Sequence, residues 1–222
     1  MDVAELISQF RTDSDDLKEA YLSSTVDVKK WLNEGEEEAA IRARLIYEAD
    51  NAAVCVIAVT AGLMSYALHP SVLDITRATF TPTGTTTPWT LAITDRIERD
   101  RMDAGWRTIT KRPEHLIQDD TRVTLGYIPD TNGELRIECY RLPLMLMEDR
   151  TDESPEIGRI HHRHLVQWAL HRCYSRPDAE VFNPGKAAIA LAEFTKNFGL
   201  RPNANYRRNY QANTPMHNKA VW

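Results

Sequence analysis

The residue types best suited to chemistry gather in one stretch, Arg159-Ile-His161-His162-Arg-His164, with His171 beyond it. His161 and His164 stand three positions apart, so on a helix both imidazoles lie on one face and are able to share a metal ion. His171 is ten positions from His161, about 15 Å further along a helix axis at about 1.5 Å per residue. That is too far to complete the same site. Two ligands fall short of the roughly three or four that zinc takes from a protein, and no His-Glu-x-x-His pattern is present. The histidines are read as packing and hydrogen-bonding groups at a contact between subunits, and no metal or other cofactor is expected. A metal-dependent hydrolase centred on His161 and His164 is a rival reading, which metal analysis of the purified protein decides.

Other chemical templates are missing. The chain has no Gly-x-Gly-x-x-Gly loop, no phosphate-binding loop and no Gly-x-Ser-x-Gly elbow. Asp178 and Glu180 follow Pro177 in the manner of a nuclease carboxylate pair, but the lysine that such a pair works with is absent and Phe182 stands in its place. These acids are read as loop and cap residues, and Asp119-Asp120 as a turn between strands. The chain is therefore not expected to be an enzyme.

Composition narrows the class further. Apolar residues make up 42% of the 222 residues, enough for a real core. The longest apolar stretch, residues 52–61, is too short to cross a bilayer, and Asp2 and Glu5 after Met1 do not suit a secretory leader. Cys55, Cys139 and Cys173 are odd in number and far apart, which fits neither a disulfide framework nor a zinc cluster and points to a reducing cytoplasm. The net charge of −5 conceals a polarity: residues 1–50 carry 13 acidic and 6 basic side chains, residues 195–222 carry 5 basic and no acidic ones. Arg201, Tyr206, Arg207, Arg208, Tyr210, Lys219 and Trp222 thus form a basic, aromatic arm. Arginine interleaved with tyrosine suits nucleic acid, so a DNA-binding or packaging-associated protein using this arm is the alternative function, testable by a salt-dependent gel shift. The same residue types anchor protein interfaces. A protein partner is the favoured reading.

The elements that carry these residues follow from hydrophobic period. Val3, Leu6, Ile7 and Phe10 predict a short first helix, followed by a loop over residues 12–16. Val28, Trp31, Leu32, Ala39, Ala43 and Ile46 predict a helix over residues 26–48, capped by Ser24 or Thr25. Glu34, Glu36, Glu37 and Glu38 fall on its opposite face. The period then changes. Residues 53–59 read as a buried strand, and alternation around Leu73 and Ile75, over residues 122–127 and over residues 134–139 predicts half-buried strands. The segment 129–133, Pro-Asp-Thr-Asn-Gly, reads as a hairpin turn joining the last two. Residues 94–105 predict an amphipathic helix with Ile97 and Met102 inward, and residues 82–88 a loop. Helices return over residues 156–174, with Ile160 and Leu165 inward, and after Asn183-Pro184, ending at Gly199.

The expected fold class is α+β: a helical bundle from residues 1–51 and 156–200, an inserted antiparallel β-rich module over residues 52–147, and an extended arm over residues 201–222. The arm is too polar to fold alone, and a partner must offset the entropy of ordering it.

In order and spacing, three stretches resemble the head–tail connector adaptor proteins of tailed bacteriophages. They are Ala4-Glu-Leu-Ile with residues 28–45, Val-Lys-Lys-Trp-Leu-Asn-Glu-Gly through Ile-Arg-Ala-Arg-Leu; residues 134–143, Glu-Leu-Arg-Ile-Glu-Cys-Tyr-Arg-Leu-Pro; and residues 162–199, with His162-Arg-His164-Leu-Val-Gln-Trp168, Asn183-Pro184-Gly-Lys-Ala and Glu193-Phe-Thr-Lys-Asn-Phe-Gly199. The resemblance implies a structural virion protein in the neck, assembled in the host cytoplasm without membrane contact. Its partners would be further copies of itself in a dodecameric ring, the portal protein, the next tail component (nozzle, stopper or terminator), and DNA passing through the lumen without sequence-specific binding. It also implies that the arm docks on the portal. Because basic side chains in a channel would hold phosphates, Glu34, Glu36, Glu37 and Glu38 are the candidate channel-facing acids.

Overall fold

The computed structural model describes residues 1–177 and 180–202, and the chain is a mixed α+β protein. From the N-terminus the elements are α1 (Val3–Ser14), α2 (Thr25–Ala43), β1 (Tyr47–Glu48), α3 (Ala52–Cys55), β2 (Val56–Val59), β3 (Ser65–Ala67), β4 (Val72–Pro82) and β5 (Trp89–Ile93). They continue with α4 (Arg96–Met102), β6 (His115–Gln118), β7 (Arg122–Leu125), β8 (Gly133–Arg141), α5 (His162–Tyr174) and α6 (Pro184–Phe198). Two compact units result, Met1–Ile46 with Leu142–Arg201, and Tyr47–Arg141.

In the first unit, caps set the helix starts. Asp2 and Glu5 form a reciprocal capping box on α1. The Asp27 amide donates to Ser24 Oγ at 3.0 Å on α2, and the Lys186 amide to Asn183 Oδ1 at 3.0 Å on α6, which has Pro184 in its first turn. Leu6, Phe10, Trp31, Leu32, Leu165, Ala169, Phe194 and Phe198 fill one core shared by α1, α2, α5 and α6. Gly35 faces Trp168, where a Cβ would come within 3.1 Å of the Trp168 Cβ, so the glycine lets α2 and α5 approach closely. Two expectations are corrected. The second helix stops at Ala43, not near residue 48, because Arg44 turns left-handed at φ 51° and Ile46 enters the core. Ile160 is not inward but exposed, because residues 159–161 form a 3-10 turn and α5 begins only at His162.

The second unit is a sheet in the order β1-β8-β4-β5-β6-β7-β3, with β2 also pairing with β8; neighbours are antiparallel except β5 and β6. Val72, Ala78, Phe80, Leu91, Leu116, Leu125, Leu135 and Ile137 make its core. Asp119-Asp120 does turn β6 into β7, with the Asp119 amide donating to the Arg122 carbonyl at 2.8 Å.

Three readings fail here. Residues 53–59 are not one strand. Asn51 Oδ1 accepts from the Ala53 amide, Glu48 Oε1 accepts from the amides of Ala49, Asp50 and Asn51, and these local bonds wind α3 before β2 begins. The segment 129–133 is not a hairpin turn, since β7 and β8 lie apart in the sheet, with β4, β5 and β6 between them. Asn132 instead ties this segment to other loops, accepting from the Ala61 and Thr83 amides. Gly133 serves a crossing, not a turn: a Cβ there would sit 2.4 Å from the Thr81 carbonyl oxygen. Gly133→Ala is therefore expected to cost ~1–3 kcal/mol or more through overpacking against backbone, read as a lowered denaturant midpoint.

The third failure is α4. Ile97 and Met102 are exposed, and Arg99, 2% exposed, faces inward. Its guanidinium donates to the Gly126 carbonyl at 3.2 and 3.3 Å and lies 4.5 Å from the Tyr127 ring centre. A planar cation able to stack and donate together displaces the aliphatic residues from the inner side.

Candidate interaction surface

The histidine stretch does not converge. His161 and His164 both pack on Phe198, with ring centres 5.7 and 6.4 Å away. Burial, then the neighbouring His164 and His162, pushes the His161 pKa down. His162 is buried, its Nε2 2.9 Å from the Ile157 carbonyl oxygen. His171 Nδ1 lies 3.0 Å from the Ala187 carbonyl oxygen, and its ring packs on Trp168. His161, His164 and His171 thus reach α6, whereas His162 ties the start of α5 to Ile157 and to the Met1 backbone. Among the described residues no group of three or more His, Cys, Asp or Glu side chains is placed to hold a metal ion. Asp178 lies outside the described residues.

The acids of α2 divide between its two sides. At about 100° of rotation per residue, Asn33, Glu36 and Glu37 share one side, with Gly35, Glu38 and Arg42 opposite. On that opposite side Glu38 accepts from Arg42 Nε at 2.8 Å, and Arg201 lies 3.5 Å from its other oxygen. Arg42 reaches on to Thr195 Oγ1 of α6 at 3.1 Å and stacks over Trp168 and Phe194. Glu34, partly exposed, pairs with Arg172 at 3.0 Å. The expectation that all four acids share the face opposite the apolar one is therefore corrected. Glu36 and Glu38 are buried in ion pairs: Glu36 meets Arg150 of the covering segment, which a helical wheel cannot show, and Glu38 meets Arg42 one turn further along α2, with Arg201 beyond the end of α6.

On the first side, the chain after β8 lies along α2. The Met147 amide donates to Asn33 Oδ1 at 2.9 Å, and Asn33 Nδ2 donates to Glu148 at 2.9 Å. Glu36 accepts from Arg150 at 2.9 and 3.1 Å and from the Glu156 amide. Pinned at these points, the intervening chain leaves a cleft of about 160 Å³ lined by Asn33, Glu36, Glu37, Pro143, Leu144, Met145 and Leu146. Leu144, Met145 and Leu146 are large, apolar and exposed. Sequence reasoning missed this site, because it took Pro143 only as the end of the β region. The available signal was the run Leu-Pro-Leu-Met-Leu-Met over residues 142–147, which has no period to place it on a buried face.

Glu37 on the cleft has no cation within ion-pair distance among the described residues. Burial, then the charges of Glu34 and Glu36, raises its pKa. A raised carboxyl pKa lowers stability as pH climbs from the ordinary carboxylate range through the raised value, since the folded state then holds a charge it disfavours. Glu37→Gln is expected to raise the melting temperature slightly at neutral pH, and the gain should vanish at acid pH below both values.

Of the arm, Arg201 is placed beside Glu38. Tyr206, Arg207, Arg208, Tyr210, Lys219 and Trp222 lie outside the described residues.

Ion-paired acids, packed histidines and a cleft edged by exposed Leu144, Met145 and Leu146 define a protein whose surfaces suit contact with other proteins. Residues 1–218 match the model of the SU10 adaptor protein family, and the chain belongs to that family. It is a phage adaptor, a structural component of the virion that acts with other head and tail proteins. No curated protein matches it. Among the described residues no helix is long and apolar enough to cross a membrane.

Proposed function

We propose that copies of this chain form the adaptor ring of the phage neck, joining the portal to the next tail component and enclosing part of the DNA channel. The family match over residues 1–218 carries this reading. The unlike surfaces of the helical unit support it, since a ring subunit must offer one face to each neighbour. The arm from Arg201 to the end of the chain is the portal-docking segment. Of the acids first considered for the channel, Glu36 and Glu38 are committed to internal pairs, which leaves Glu34, partly exposed beside Arg172, to face the channel. Assembly takes place in the host cytoplasm, and the ring does no chemistry. Electron microscopy of the chain mixed with its portal tests the reading. A ring stacked coaxially under the portal is expected. Single copies scattered on the portal surface would overturn it.

A further inference from the structure

The outer face of α6 carries an apolar knob. Ile189 is 67% exposed, and on the adjoining turns it is bracketed by Gly185, Lys186, Ala192 and Glu193, all exposed, with Glu193 paired to Lys196 at 3.2 Å. With Gly185 and Ala192 small, one side of the isoleucine stands proud of the helix. The Lys186 ammonium lies 5.3 Å from the Tyr174 ring centre and has no carboxylate within ion-pair distance among the described residues. The cleft at Leu144, Met145 and Leu146 has the converse character: a hollow of about 160 Å³ with apolar side chains on one wall and Asn33, Glu36 and Glu37 on the other, Glu37 being an acid without a cation within ion-pair distance among the described residues.

These two surfaces face opposite ways. The cleft is built on the Asn33 and Glu36 side of α2, whereas α6 packs on the side carrying Arg42. Surfaces that differ and point apart cannot close a two-fold dimer with each other. They repeat head to tail, and such a contact closes into a ring when its rotation allows.

We propose that neighbouring copies join through this pair, Ile189 of one copy seating among Leu144, Met145 and Leu146 of the next, with Lys186 paired to Glu37. The inference rests on the ring reading and names its contact. Charge complementarity selects the occupant: Lys186 beside the knob and Glu37 beside the hollow each lack an opposite charge within ion-pair distance among the described residues, whereas Glu193, Glu34 and Glu36 are already paired. The raised pKa of Glu37 fits an acid held at a cost to the free subunit.

A full-length Met145→Cys/Ile189→Cys variant, treated with a short bismaleimide cross-linker at rising protein concentration, tests it. The native Cys55, Cys139 and Cys173 are buried. A covalent ladder extending beyond dimer is expected, with neither single variant forming one. In parallel, Glu37→Lys should weaken self-association about tenfold, and Lys186→Glu in the same chain should restore it. If the wild type forms rings but no ladder appears and neither charge variant alters assembly, the contact lies elsewhere and the inference falls while the ring stands. If the wild type stays a single copy even with the portal, ring and contact fall together.

Discussion

Replacing Glu36 with alanine is expected to destabilise the helical unit by ~3–5 kcal/mol, the cost of removing one member of a buried ion pair. Glu36 is 1% exposed by side chain and Arg150 11%, so water reaches neither group freely. The carboxylate takes two bonds from Arg150 and one from the Glu156 amide. Without it a guanidinium and an amide are left inside with too few acceptors. The loss also frees the chain that walls the cleft, because Arg150 holds the Met145 and Ser154 carbonyls from the same guanidinium. Glu36→Gln keeps an acceptor oxygen and the side-chain volume, so it should lose less than the alanine variant. Glu36→Met with Arg150→Met should recover part of the loss, since no charge then remains buried. Denaturant midpoints of the four proteins measure this. An alanine variant as stable as the wild type would show that the pair is not buried in solution.

Deletion of residues 203–222 is expected to abolish association with the portal while leaving the stability of the remaining chain unchanged. The deleted segment carries Arg207, Arg208 and Lys219, no acidic residue, and Tyr206, Tyr210 and Trp222. Arginine and aromatic anchors at an interface commonly contribute ~2 kcal/mol or more each, so losing several together removes any affinity that they dominate. Replacing Arg207 and Arg208 alone should weaken binding and flatten its salt dependence, because exposed charges act within a Debye length of about 8–10 Å. Sedimentation of truncated and full-length chains with portal decides the matter. Undiminished binding by the truncated chain would remove the arm from the docking role. A salt-dependent duplex gel shift lost on the same truncation, with portal binding intact, would favour the DNA-binding alternative.

Where sequence and structure agree, the signals are local. Ser24, Asn183 with Pro184, and Gly199 mark helix ends because a cap is satisfied within about one turn of itself. The apolar spacing of Val28, Trp31 and Leu32 and of Ala187, Phe194 and Phe198 is that of faces now buried in one core. Asp119-Asp120 turned two strands because a short loop selects its own residues. The mixed α+β class and the family likeness were legible for the same reason, as both rest on an ordered series of such local patterns.

Strand pairing and the fate of the charges lay beyond that reach. The alternation around β7 and β8 predicted strands but not that β4, β5 and β6 separate them, since alternation says which side is buried and nothing of which strand lies alongside. Gly133 was taken for a turn residue when it is required by the approach of Thr81, and Ile97 and Met102 were turned outward by Arg99, whose stacking partner Tyr127 is distant in sequence. The acids of α2 show the division best. By itself the sequence determined that α2 is a helix dense in glutamate. Only the tertiary structure decided that Glu36 is an internal counter-ion to Arg150 while Glu37 stays on the cleft, because a charge is buried or exposed according to whether a distant arginine arrives to meet it.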